Sequence, residues 1–261
     1  MSTSSATKPI QGKVDLDSTR AALEELGLAY MAETLAEHMH EAVKDEVPVH
    51  RFLDKLLALE ITRREERRIK TSLRLSGLPT GQTLADFDFS FQPGLERSRI
   101  ETLATCAWVR EHTTVLIQGP PGVGKTHLAV ALGVKAVENG FSVVFYRIED
   151  LLHAMKRHAA VPPSRLRGKR YFNSALLIVD EVGFQPMTRE EAALFFRLVS
   201  YRYQRGATLI TTNKAVNDWP EILAGDEVMA TALLDRLLHR CHALTIKGRS
   251  YRLRELEKML K

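Results

Sequence analysis

Cysteine is scarce: Cys106 and Cys241 are the only two in 261 residues. They are far apart and neither sits at a metal-binding spacing. A disulfide framework and a structural zinc are therefore excluded, and free thiols in a reducing compartment are expected. Long hydrophobic runs are missing too. Stretches such as Ala175–Val179 fall far short of the roughly 20 residues that span a bilayer, so no membrane partner is expected. The opening Met1–Lys8 lacks the basic-then-apolar order of a secretory leader, which predicts a cytoplasmic protein. No internal repeat or low-complexity tract occurs. Nor is there a trio of acids suited to DNA strand transfer, so no recombinase chemistry is assigned. Acid is wholly absent from residues 151–179, where Lys156, Arg157, Arg165, Arg167, Lys169 and Arg170 gather. Basic charge held in a patch is the footprint of a polyanion partner, or else a solvated surface.

What is present describes an ordinary globular chain, 44% hydrophobic and 26% charged, with a net charge of +5. Residues 1–13 are Ser/Thr-rich and predicted disordered. Residues 14–77 read as a helical domain. Leu23, Leu26, Leu28, Met31, Leu35 and Met39 recur at helical spacing, Gly27 divides the run, and a third helix follows Pro48. That helix displays Arg63, Arg64, Arg67 and Arg68, further candidates for DNA phosphates. Gly77, Pro79 and Gly81 mark a boundary. Residues 78–94 form a linker, and 95–261 the main domain. There, apolar strands at 114–118, 142–147, 176–180, 207–212 and 243–246 alternate with helical segments. This pattern predicts an α/β fold with a parallel sheet covered on both faces.

Gly119, Pro120, Pro121, Gly122, Val123, Gly124, Lys125 and Thr126 fill the P-loop pattern between a predicted strand and a predicted helix. Glycines let backbone N–H groups curl around phosphates, and the helix start presents more of them. Lys125 can reach the β- and γ-phosphates, Thr126 can ligate Mg²⁺, and His127 completes the nucleotide-binding set. The strand 176–180 ends in Asp180, a candidate Mg²⁺ ligand, and Glu181, a candidate to orient the attacking water. Asn213 ends the next strand, either as a γ-phosphate contact or as a turn residue. Arg236 lies on a helix remote from the loop in sequence. It serves either a neighbouring subunit's nucleotide or a salt bridge with Asp235. Arg252 faces its own nucleotide, DNA or solvent. Tyr171, Phe172 and Tyr251 adjoin basic residues and either stack on bases or pack in the core.

In this order the motifs resemble the AAA+ ATPases of the DnaC/DnaA-like group, and most closely the IstB-type helper ATPases of bacterial insertion sequences. The resemblance extends to Phe87–Gly94, which in that family lies near the adenine, and to Leu26–Leu35. It implies a five-stranded core in order 5-1-4-3-2 behind a small all-α domain. It also implies ATP and Mg²⁺ as cofactors, and ATP-dependent assembly into a ring or spiral on double-stranded DNA, with Arg236 acting in trans. The implied partner is a cognate transposase, which the protein would help to select target DNA. The alternative is a DnaC-like loader of a replicative helicase. One departure is that only about 15 residues follow the last strand, too few for the helical lid of many such proteins.

Overall fold

The computed structural model describes residues 15–158, 168–254 and 260. The tail at 1–13 and the candidates Arg165 and Arg167 lie outside them. Two compact units divide the chain, Met1–Arg68 and Ile69–Lys261.

The first unit begins with α1 (Leu16–Glu25) and α2 (Ala29–Lys44). Gly27 separates them at φ 71°, a conformation that costs glycine little. Helix α3 (Val49–Ser76) follows, and the unit boundary falls inside it. Met31, Leu35 and Leu56 form a small core with Leu23, Leu28 and Phe52 packed around it. The buried Glu60 caps α2 from a distance: its Oε2 accepts from Met31 N–H at 2.9 Å, while Arg64 Nε donates to Oε1 at 3.0 Å. Burial opposes ionisation of Glu60, but these donors prevail and hold its carboxyl below the usual range. Arg64 also donates to the Gly27 carbonyl at 2.7 Å. The boundary expected at 77 lies earlier in the structure because Ile69 and Leu73 pack on the core of the second unit.

The second unit continues through α4 (Arg97–Ala104), α5 (Ala107–Arg110), β1 (Thr114–Gln118) and α6 (Lys125–Glu138). Next come β2 (Val143–Arg147), α7 (Ile148–Arg157), α8 (Arg170–Asn173), β3 (Leu176–Val182) and α9 (Arg189–Arg202). It ends with β4 (Ala207–Thr212), α10 (Trp219–Ile222), α11 (Glu227–Leu238) and β5 (Cys241–Thr245). The five strands are parallel in the order β2-β3-β4-β1-β5, as the resemblance implied. Alternate strand residues serve opposite faces. Val115, Ile117, Leu176, Ile178 and Leu209 pack with Ile100, Trp108, Leu128 and Leu132. Leu116, Leu177, Val179 and Ile210 pack with Leu151, Phe195, Trp219 and Leu233 on the other side. Burial on both faces explains why these strands read as unbroken apolar runs.

One buried cation braces the second core. Arg202, 2% exposed, donates to Thr208 Oγ1 and to the carbonyls of Tyr171, Phe172, Ser174 and Ala207. Burial among neutral acceptors pulls its guanidinium down to about 10. Tyr171 and Phe172 are themselves core residues, which removes them as stacking platforms for bases.

Candidate nucleotide site

The loop between β1 and α6 lies at the carboxyl edge of a parallel sheet, where ligands bind in folds of this kind. Gly122 and Gly124 adopt φ 80° and 98°, which side chains rarely tolerate. Gly124 is also tight: a Cβ there would come within 2.7 Å of the Phe87 ring. At Gly119 a Cβ would meet the Ile246 carbonyl oxygen at 2.4 Å. The loop therefore needs glycine for space as well as for conformation. Lys125 Nζ donates to the Pro120 carbonyl at 2.8 Å, folding the ammonium over the loop. Burial pulls the Lys125 ammonium below the usual lysine range, Asp180 opposes this, and Arg252 adds to it.

Asp180 is 1% exposed. Both its carboxylate oxygens accept from Thr126 Oγ1 at 3.0 Å, and Thr211 Oγ1 donates to Oδ1 at 2.5 Å. A threonine hydroxyl against a buried carboxylate is the hard-oxygen chemistry that Mg²⁺ prefers, so these two residues fit that ion. Glu181 is the next residue, yet it is exposed. A β-bulge causes this separation. Val179 pairs with Ile210 and Val182 with Thr212, so Asp180 and Glu181 together oppose Thr211. Glu181 takes φ 64°, and its N–H donates to Thr211 Oγ1 at 3.0 Å. Its Oε2 lies 3.8 Å from Arg147 Nε, at the end of β2. Asn213 is exposed directly beyond β4, next to Thr212, whose carbonyl accepts from Gly119 N–H at 3.1 Å.

A cleft of about 280 Å³ joins Gly122–His127 to Phe87, Phe91, Tyr251 and Arg252. His127 Nε2 sits 2.7 Å from the Thr83 carbonyl, and its ring meets Phe87 edge-on. The segment after β5 closes against the loop, where Tyr251 N–H donates to the Gly122 carbonyl at 2.9 Å. Arg254 pairs with Asp88 at 3.1 Å. Arg252 thus shares the cleft with the P-loop, as one of its three alternatives required.

Arg236 lies elsewhere. It lines a cavity with Thr114 and Thr208, near the amino ends of β1 and β4, on the far edge of the sheet from its own P-loop. Its guanidinium donates to the Ala232 carbonyl at 2.6 Å and stacks over Phe196 at 5.1 Å, with no ion pair to Asp235 among the described residues. Several DNA candidates have partners within the chain. Lys156 pairs with Glu191 at 2.8 Å, and Arg170 donates to the carbonyls of Leu75 and Val143. Arg64 braces the first unit as described, while Arg63 and Arg68 pair with Glu66 and Glu65. These cations have internal partners because acids or carbonyls lie one helical turn away or on the next element. Arg67 and Arg157 are exposed, and Lys169 is half-buried. Thr211, Arg147 and Thr83 escaped the sequence reading, though the Thr211-Thr212 pair before Asn213 carried a faint signal.

A parallel five-stranded sheet in this order, with a P-loop after its first strand and paired acids at the carboxyl end of its third, defines an AAA+ nucleotide-binding protein. Residues 21–259 match the family described as IstB-like ATP binding protein, and the chain belongs to it. Membership implies ATP binding. A Pseudomonas aeruginosa protein of insertion sequence IS21, named for ATP binding, is 43% identical over 88% of this chain and 86% of its own length. A counterpart from IS5376 of Geobacillus stearothermophilus is 36% identical over 88% and 91%. Among solved structures, the DnaC helicase loader superposes with a TM-score of 0.52 at 22% identity, covering 67% of this chain and 98% of that one. AMPPCP-bound DnaA from Aquifex aeolicus gives 0.54 at 19% identity, covering 70% and 56%. These two likenesses concern the fold. Among the described residues no helix is long and apolar enough to cross a membrane.

Proposed function

We propose that this protein is a transposition helper ATPase: it binds and hydrolyses ATP, assembles on double-stranded DNA, and assists a cognate transposase. The observation that carries the ATPase reading is the contact of Thr126 with buried Asp180 beneath a glycine-built loop, with Glu181 turned outward beside it. Thr126 and Asp180 would hold Mg²⁺, which when bound offsets charge on the phosphate oxygens. Lys125 and the loop N–H groups grip the β- and γ-phosphates. Glu181 orients a water and draws its proton, and Asn213 fixes that water or the γ-phosphate from the neighbouring strand. Arg252 contacts the nucleotide of its own subunit. Arg236 stands on the wrong edge to serve its own loop, which supports a role at the site of an adjoining copy. An arginine supplied in this way is worth roughly 10³–10⁵ in rate.

The helper role rests on the family and on relatives named for insertion sequences. Exposed Arg157 and Arg67, with half-buried Lys169, are the described cations best placed for phosphates; such contacts fix position on DNA without reading sequence. Steady-state phosphate release with and without duplex DNA tests the ATPase. Glu181→Gln should retain nucleotide and lose turnover by about 10² or more. Unchanged turnover in that variant would refute the catalytic assignment. Pull-down against a cognate transposase, and against a replicative helicase, tests the partner.

A further inference from the structure

Arg236 is held in place without a counter-charge. It is half-buried, and among the described residues no carboxylate pairs with it. Two neutral groups grip its guanidinium instead. One is the Ala232 carbonyl, a turn earlier on α11, and the other is the face of the Phe196 ring. The cavity around it also holds the cations Arg202, His239 and Arg240, with Glu111 as the sole acid among the lining residues.

Phe196 belongs to α9, which packs against α11. Phe195, Leu198 and Val199 of α9 are buried in the same core as Leu233 and Leu237 of α11. Phe196 itself is partly buried against that core. Buried neighbours on both helices thus fix the ring and the root of the arginine side chain. A ring face attracts a cation through its quadrupole and leaves the charge uncancelled. A carboxylate in the same place would cancel that charge, and the pair would have to break before the guanidinium met a phosphate. A free arginine on a surface would instead lose rotamer freedom at each encounter, a cost that holding it beforehand removes.

We propose that Phe196 is a positioning residue for Arg236: its ring holds the guanidinium in one place, with its charge uncancelled, for the nucleotide of an adjoining copy. This rests on the reading of Arg236 as acting in trans, and adds the group that aligns it. Phe196 touches no nucleotide itself and acts only through the arginine.

The test measures phosphate release by the full chain with duplex DNA, and ATP affinity by calorimetry. The variants are Arg236→Ala, Phe196→Leu and Phe196→Tyr, together with chains carrying phenylalanine with one, two or three ring fluorines at position 196. Fluorine draws electron density from the ring face while nearly keeping its shape, so it weakens the hold on the cation and spares the packing. Phe196→Leu should lower maximal turnover by about three- to tenfold with ATP affinity unchanged, and Phe196→Tyr should restore it. Turnover should fall stepwise as fluorines are added. Turnover indifferent to fluorination, or equal to or above wild type in Phe196→Leu, would overturn the proposal where Arg236→Ala is impaired. Should Phe196→Leu fail to fold, the fluorinated chains decide alone. Failure of the parent reading looks different: Arg236→Ala would itself turn over normally, and the role of Phe196 would fall with it.

Discussion

At the scale of single residues, the site depends on groups that hold the catalytic ones. Thr211 Oγ1 donates to Asp180 and accepts from the Glu181 N–H, so one hydroxyl ties both acids to β4. Thr211→Val keeps the shape and removes both bonds. Turnover should fall about tenfold while triphosphate affinity changes by less than about threefold, measured by phosphate release and calorimetry. The cysteines make a second prediction. Burial raises both thiols to about 11, so protonated forms dominate at neutral pH and thiolate appears only as pH climbs through that value. At pH 8 both should alkylate about a hundredfold more slowly than a free thiol, and urea should abolish the difference. Lys125, Thr126 and Asp180 were legible in the sequence because each belongs to a short contiguous motif. Phe196 was not, since its partner Arg236 lies two helices further on and only the fold brings them together.

Among the elements, β1 and β4 run over the residues that their apolar pattern predicts, because both are buried on both faces. Strand β3 is longer than expected: the bulge carries it past Asp180 to Val182, and acids at a strand end do not announce a bulge. The short helices α5, α8 and α10 hold four residues each, too few for helical periodicity to register. Of these, α8 depends on a tertiary anchor: it hangs from Arg202. Arg202→Met would strand four carbonyls and a hydroxyl around an apolar chain. Stability should fall by about 3 kcal/mol, read as a lower urea midpoint. The P-loop is equally exacting, for a methyl group on Gly124 must displace the Phe87 ring. Gly124→Ala should weaken triphosphate binding by about tenfold or more and also lower the unfolding midpoint.

For the whole molecule, the basic patch pointed to a polyanion partner or a solvated surface, and composition did not say which of its cations have partners within the chain. Charge counts do not register Glu191 beside Lys156, or the carbonyls around Arg170. Reversing Arg157 and Lys169 to Glu should flatten the slope of log affinity for duplex DNA against log salt by about 1 to 2. Arg236→Ala should bind ATP normally yet lose hydrolysis and nucleotide-dependent assembly, followed by sedimentation.

The placement of Arg236 and the P-loop on opposite edges of one sheet has a geometric corollary. If each copy lends its guanidinium to the next, contact is head-to-tail, and two copies related by a dyad cannot both be completed. A lone molecule would be idle, and an open row would always have an unfinished site at one terminus. Activity should therefore rise with concentration faster than in proportion, and the terminus would be where subunits join or leave.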